Sequence, residues 1–229
     1  HAPSRCTLMR AALIAIPHPG DEPLPAVAGK SIAHRQLLFA VEAGCEIVVA
    51  FGNGASRDGV DLRHAAERFG LKFQVVSSAH ALPGIIRDDD SMLVLQPGLL
   101  PESRTALDLL RANGDRILVV SAGPGARAGL ERIDLDRAWA GSLTLPGRLL
   151  AKLASLPEDI APHSALLRVA LQERVQEARL ADSKLDDGTW TLIPTAEVAA
   201  KRAAIWQRTQ LGTVSAGSVS RWLGRALVT

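Results

Sequence analysis

The chain contains no tyrosine, and only four tryptophans and four phenylalanines occur among its 229 residues. A surface that holds single-stranded nucleic acid by stacking bases on aromatic rings is therefore nearly excluded. The core must instead be built from Leu, Val, Ile and Ala. Lysine is scarce as well: only Lys30, Lys72, Lys152, Lys184 and Lys201 occur, and arginine supplies the rest of the 26 basic residues. Together with the alanine-rich composition, this is the mark of a GC-rich genome rather than of nucleic-acid binding. A formal net charge of +2, with acids interspersed among the bases, leaves no broad basic footprint. The two cysteines, Cys6 and Cys45, lie far apart and form no metal-binding spacing, which points to a reduced, cytosolic setting. No run of about 18 apolar residues is present, so the sequence given is not expected to span a bilayer. What it does have is 47% hydrophobic residues, enough for a substantial core.

Five nearly continuous apolar runs, at residues 12–16, 46–51, 73–78, 92–96 and 116–122, read as strands buried on both faces. Helical patterns fill the gaps at 32–43, 61–69 and 102–112, with Gly44, Gly70 and Gly114 placed where a left-handed cap is wanted. Alternation of this kind predicts a three-layer α/β/α sandwich with a mostly parallel sheet. The second half predicts a strand at 139–145, helices at 148–154 and at 160–172 (or from 162–164), a short strand at 190–193, and a helix from 195 to about 210. Residues 1–211 are read as one α/β domain. Residues 212–229 are read as a linker and a juxtamembrane amphipathic segment.

Residues 12–51, a strand, a Pro/Gly-rich loop, a helix and a second strand, contain Glu22-Pro23-Leu24-Pro25-Ala26-Val27-Ala28-Gly29-Lys30-Ser31-Ile32. This run resembles the opening of the GT-A-type nucleotidyltransferases, which include the sugar-1-phosphate and inositol-1-phosphate nucleotidyltransferases. The resemblance implies that fold, transfer of a cytidylyl group from CTP to an inositol-1-phosphate-like acceptor with magnesium, and a phosphate-wrapping loop in which His18, Gly20, Asp21 and Lys30 would bind the nucleotide. The sequence departs from the family in three places. Glu22 stands where the family has its phosphate-binding Lys, and Pro17-His18-Pro19-Gly20 replaces the longer Gly-rich loop with its Arg. Gln96-Pro97-Gly98-Leu99 fills the turn that should carry the metal Asp. Carboxylates facing a triphosphate are repulsive, and magnesium needs hard oxygen ligands. These departures argue for a degenerate domain with no catalytic residue, no metal site and no cofactor.

The tail, Val219-Ser220-Arg221-Trp222-Leu223-Gly224-Arg225-Ala226-Leu227-Val228, resembles the segment that leads into membrane-embedded CDP-alcohol phosphatidyltransferases. That implies a C-terminal membrane domain as partner, in a synthase of phospholipids on the cytoplasmic side of a bacterial inner membrane. Arg221, Trp222 and Arg225 would touch the membrane surface. Three readings stay open: a degenerate domain that supports folding, homodimer formation or substrate handling; an active CTP- and magnesium-dependent cytidylyltransferase using Asp21 and Asp88–Asp90; and an unrelated sugar- or nucleotide-binding α/β protein. Nucleic acid is not an expected partner.

Other residues carry weaker signals. Gly52-Asn53-Gly54 and Gly123-Pro124-Gly125 follow predicted strands and read as turns. Asp88-Asp89-Asp90 reads as a solvated loop before its strand, at the edge opposite the site. His34, His64, His80 and His163 are scattered and read as surface or helix-face residues. Ser31, Ser77 and Ser121 lack any nucleophile-elbow context. Arg168 reads as facing either a cleft or solvent.

Overall fold

Strand β1 (Arg10–Ala15) lies near the middle of the sheet, and its residues alternate between two hydrophobic layers. Ala11 and Leu13 join one buried cluster, Ala12 a second and Ile14 a third. A strand covered on both faces needs apolar residues at every position, which is why the sequence shows runs rather than alternation. The computed structural model describes residues 10–112, 114–157 and 160–193.

After β1 come a two-residue hairpin, β2 (Ala26–Val27) and β3 (Lys30–Ser31), and then helix α1 (Ile32–Glu42). Next are β4 (Ile47–Phe51), α2 (Arg57–Arg68), β5 (Lys72–Val76), β6 (Ser91–Leu95), β7 (Leu99–Pro101) and α3 (Arg104–Arg111). The second half holds β8 (Arg116–Ser121), α4 (Ala122–Arg127), β9 (Arg137–Pro146), α5 (Pro162–Gln172), β10 (Gln176–Arg179), α6 (Ser183–Asp186) and β11 (Trp190–Leu192). The 7-stranded sheet has the order β10-β8-β9-β6-β1-β4-β5. Only β9 runs antiparallel to its neighbours, pairing with β6 on one side and β8 on the other. Helices α1 and α2 cover one face through Ala33, Leu37, Leu62 and Ala65, and α3 extends that layer through Leu107 and Leu110. The opposite face is covered by α5 and by a 3-10 helix at Gly147–Ser155, through Leu149, Leu150, Leu153 and Leu166. The three-layer α/β/α sandwich with a mostly parallel sheet is thus the observed fold. Among the described residues no helix is long and apolar enough to cross a membrane.

Several expectations are corrected. Helix α2 begins at Arg57 rather than 61, because Ser56 accepts the Gly59 N–H as an N-cap and pulls a polar, glycine-bearing turn into the helix. Gly123-Pro124-Gly125 is not a free turn but lies within α4, where proline suits the first turn of a helix. Gly125 is there for space: a Cβ on it would sit 2.5 Å from the Cβ of Ala138. The segment at 148–154 is 3-10 rather than α-helical. Strand β10, rich in charge, has no apolar run to announce it and forms an edge against β8. Asp90 is not solvated: it is 6% exposed, its carbonyl accepts the Gly147 N–H at 2.7 Å, and its carboxylate accepts the Arg87 N–H at 3.3 Å. His163 does not stand free on a helix face, since its ring stacks on Trp139 at a centroid distance of 6.3 Å. Arg168 is exposed on α5. The helix expected after residue 194, the linker, Arg221, Trp222 and Arg225 lie outside the described residues.

Candidate functional site

The carboxyl ends of β1 and β4 are locked together before any site side chain is placed. Ile16 donates to the Phe51 carbonyl at 2.8 Å, and Asn53 donates to that of Pro17 at 3.0 Å. Gly52 makes this closure feasible: its φ is +136°, and a Cβ there would fall 2.2 Å from the Ile16 carbonyl oxygen. Asn53 then folds the chain into α2, its side chain accepting the Ala55 N–H and its carbonyl the Ser56 N–H, both at 3.0 Å.

The loop from Pro17 to Pro25 and the start of α2 enclose an open cleft of about 450 Å³. His18, Gly20 and Asp21 line it from the loop; Asn53, Arg57 and Asp58 line it from the opposite wall. Two of its carboxylates hold loop amides. Asp21 Oδ2 accepts the His18 N–H at 2.8 Å, while the Asp21 N–H returns to the His18 carbonyl at 3.1 Å. Asp58 Oδ2 accepts the Leu24 N–H at 3.2 Å. Backbone N–H groups at such a place can wrap an anionic ligand, but here the protein's own carboxylates sit on two of them. His18 is held by edge contact with Phe51, the ring centroids 4.9 Å apart.

Of the residues the sequence nominated, His18, Gly20 and Asp21 therefore share this cleft. Lys30 does not join them; it lies beyond the β2–β3 turn and lines a neighbouring hollow with His34 and Arg68. Arg57, Asp58 and Asn53 were missed as a group. Asn53 and Ser56, an Asx turn followed by an N-cap three residues before Gly59, are the signal that could have found them.

The turn after β6 is closed by the Leu99 N–H on the Gln96 carbonyl at 3.1 Å, with Gly98 at φ +79°. From α1, the buried side chain of Gln36 donates to the carbonyls of both Gln96 and Leu99 at 2.9 Å. Gln96 Oε1 is buried and has no hydrogen-bond partner among the described residues; a Cβ on Gly141 would come within 3.0 Å of it. An amide pressed against the β9 backbone is a poor ligand for magnesium. Among the described residues no three His, Cys, Asp or Glu side chains converge so as to hold a metal ion. The turn does not fit the metal that the resemblance implies.

At the same sheet edge, Asp182 accepts both the N–H and the Oγ–H of Ser121, at 2.9 and 2.6 Å. These bonds hold its carboxyl below the usual carboxylate range. Ser121 also accepts from Arg179. Arg137 bonds to both Asp134 and Glu177, which ties the loop before β9 to β10 and pushes the guanidinium pKa up. These are fastenings between strand ends.

No protein-family model matches the sequence, and no curated protein matches it either. Solved structures do match in fold. A Bacillus anthracis protein described as a glucose-1-phosphate thymidylyltransferase, in complex with sucrose, superposes with a TM-score of 0.60 at 12% identity, over 86% of this chain and 94% of that one. The 4-diphosphocytidyl-2C-methyl-D-erythritol synthase of Anaerococcus prevotii gives a TM-score of 0.58 at 11% identity, over 87% and 99%. A UDP-glucose pyrophosphorylase bound to UDP-glucose gives 0.57 at 12% identity, over 88% and 100%. The chain has the nucleotidyltransferase-like fold.

Proposed function

We propose that this chain is a nucleotidyltransferase-like domain that no longer transfers nucleotides, and that it serves as the cytosolic part of a CDP-alcohol phosphatidyltransferase-type phospholipid synthase. The observation that carries the first half is the Asp21 carboxylate on the His18 N–H at 2.8 Å. In this fold a triphosphate would need the loop amides free and cations around them. The loop instead offers Asp21, the opposite wall adds Asp58 and Asp61, and Glu22 follows Asp21 in the loop without lining the cleft. Several like charges within reach weaken triphosphate binding by about a thousand-fold or more. The second half rests on the resemblance of residues 219–228, with Arg221, Trp222 and Arg225 as membrane contacts and the membrane domain as partner.

Calorimetry with CTP, ATP and GTP at millimolar magnesium tests the first half. Binding no tighter than about millimolar is expected, with pyrophosphate release from CTP and inositol-1-phosphate at the blank rate. Micromolar CTP affinity would overturn it. For the second half, the full chain should co-sediment with anionic vesicles better than a chain ending at Leu211; equal binding would remove the idea.

One observation favours a second reading, an active CTP- and magnesium-dependent cytidylyltransferase. The three superposing proteins named above bear the names of a thymidylyltransferase, a diphosphocytidyl-methylerythritol synthase and a UDP-glucose pyrophosphorylase. Pyrophosphate release abolished by Asp21→Ala would establish it.

A further inference from the structure

The hollow beside the loop cleft gathers two cations and two imidazoles from three separate elements. Lys30 reaches it from β3, His34 from the first turn of α1, and His64 and Arg68 from one face of α2. Its volume is about 330 Å³, within the range of small-molecule sites. Two carboxylates also line it, and both are engaged elsewhere. Asp58 holds the Leu24 N–H, and Asp61 stands 3.9 Å from the Arg57 guanidinium. Neither Lys30 nor Arg68 makes an ion pair among the described residues. The first turn of α1 carries no acid to offset them.

We propose that this hollow between α1 and α2 binds a phosphate group, with Lys30 and Arg68 supplying the charge and His34 and His64 the hydrogen bonds. Lys30 and Arg68, neither of them ion-paired among the described residues, bring like charge to one hollow, and a bound phosphate offsets it. His34 reports the strain: burial and then the charges of Lys30, Arg68 and Arg35 hold its pKa below the ordinary value. Arg35 itself is taken up by Glu102 at 3.1 Å, so it contributes field but not ligation. The hollow adjoins the loop cleft and shares Ser31, Asp58 and Asp61 with it, but Lys30, His34, His64 and Arg68 line the hollow alone. A phosphate on a soluble ester and one on a lipid headgroup share this chemistry.

The test is a titration of the full chain with inorganic phosphate, followed by two-dimensional NMR of backbone amides and imidazole rings, with chloride at equal ionic strength as control. Saturable shifts are expected at His34 and His64 with a millimolar midpoint, the Gly20 amide staying still. The His34 titration midpoint should rise when phosphate is bound. Lys30→Ala with Arg68→Ala should weaken the midpoint by about tenfold while thermal unfolding of the free chain is unchanged. Vesicles bearing a phosphomonoester headgroup complete the test. Sedimentation in excess of that on vesicles of equal charge without the headgroup, and lost in the double variant, assigns the phosphate to a lipid; no such excess with the shifts intact assigns it to a soluble ester. Shifts matched by chloride, shifts centred on Gly20, or an unaltered midpoint in the double variant would each overturn the proposal.

Discussion

The carboxylate of Asp58, in the first turn of α2, accepts the backbone N–H of Leu24, 34 residues earlier, at 3.2 Å. One side chain thus complements the positive end of a helix and pins the loop that forms the mouth of the cleft. Replacing it, Asp58→Ala, should cost about 1 kcal/mol and speed hydrogen exchange at the Leu24 amide. Unchanged exchange there would mean that the loop is held by other contacts.

Glu22→Lys restores one of the three features in which the sequence departs from the nucleotidyltransferases it resembles. It should improve CTP binding by roughly tenfold at most and leave pyrophosphate release at the blank rate, because no metal ligand returns with it. Turnover in this variant would show that the Gln96 turn is not the obstacle.

Gly125 and Ala138 pack α4 directly on β9. Gly125→Ala should destabilise the fold by about 1–3 kcal/mol through overpacking, since the new Cβ would lie 2.5 Å from that of Ala138. Ala138→Gly in the same chain should recover part of the loss. Denaturant unfolding of both single variants and the pair reads the coupling directly, and simple additivity would contradict the clash.

Trp190 donates its indole N–H to the Ala140 carbonyl at 2.6 Å and meets Phe39 edge-on at 5.7 Å. Trp190→Phe keeps most of the apolar volume but leaves a buried carbonyl without its donor, a loss of about 1–3 kcal/mol. Trp190→Ala adds a cavity and should cost about 3–5 kcal/mol. Equal midpoints for the Phe variant and the parent would place the bond's worth near zero.

Burial pushes the pKa of His163 below its ordinary 6.5, so the unfolded chain takes up its proton first. The stability this imidazole contributes is complete above the ordinary value and declines as pH falls below it. Asp134, whose bonds to Arg137 lower its carboxyl to about 2, behaves like Asp182: both lose their contribution only in more acid solution, below the usual carboxylate range. Urea unfolding at about pH 7.5 and about pH 5.5 should therefore show a loss that His163→Phe reduces. Equal losses in parent and variant would exclude His163 as the source.

Elements buried on both faces were legible in the sequence because their apolar runs have no competing explanation. The strands around Leu13, Val49 and Val94 fall within a residue or two of expectation, and Gly44, Gly70 and Gly114 all take left-handed φ. Elements fixed by tertiary pairing were not. The strand of Gln176 and Glu177 is made by its neighbour rather than by its own composition, and Ser56 overrode the weak helical propensity of Gly59. At the site, His18, Gly20 and Asp21 are neighbours in sequence and line one cleft. A two-residue turn with Ala28 and Gly29 at positive φ carries Lys30 past it, into the neighbouring hollow. Asp58 was invisible for the converse reason, since its partner lies on a different element.

Strand β9 is the sole bridge between the two parts of the sheet, and it follows β8 in the chain. Both neighbours of β8, β9 and β10, come after it in sequence. During synthesis, a chain released only as far as Asp136 would hold β8 with an open edge on each side, while β6, β1, β4 and β5 could already be paired. The late arrival of β9 is therefore the event that makes one molecule of two unfinished pieces. Between the emergence of Arg116 and that of Arg137, the apolar segment Ile117–Val120 has neither of its sheet partners and exposes two unpaired edges.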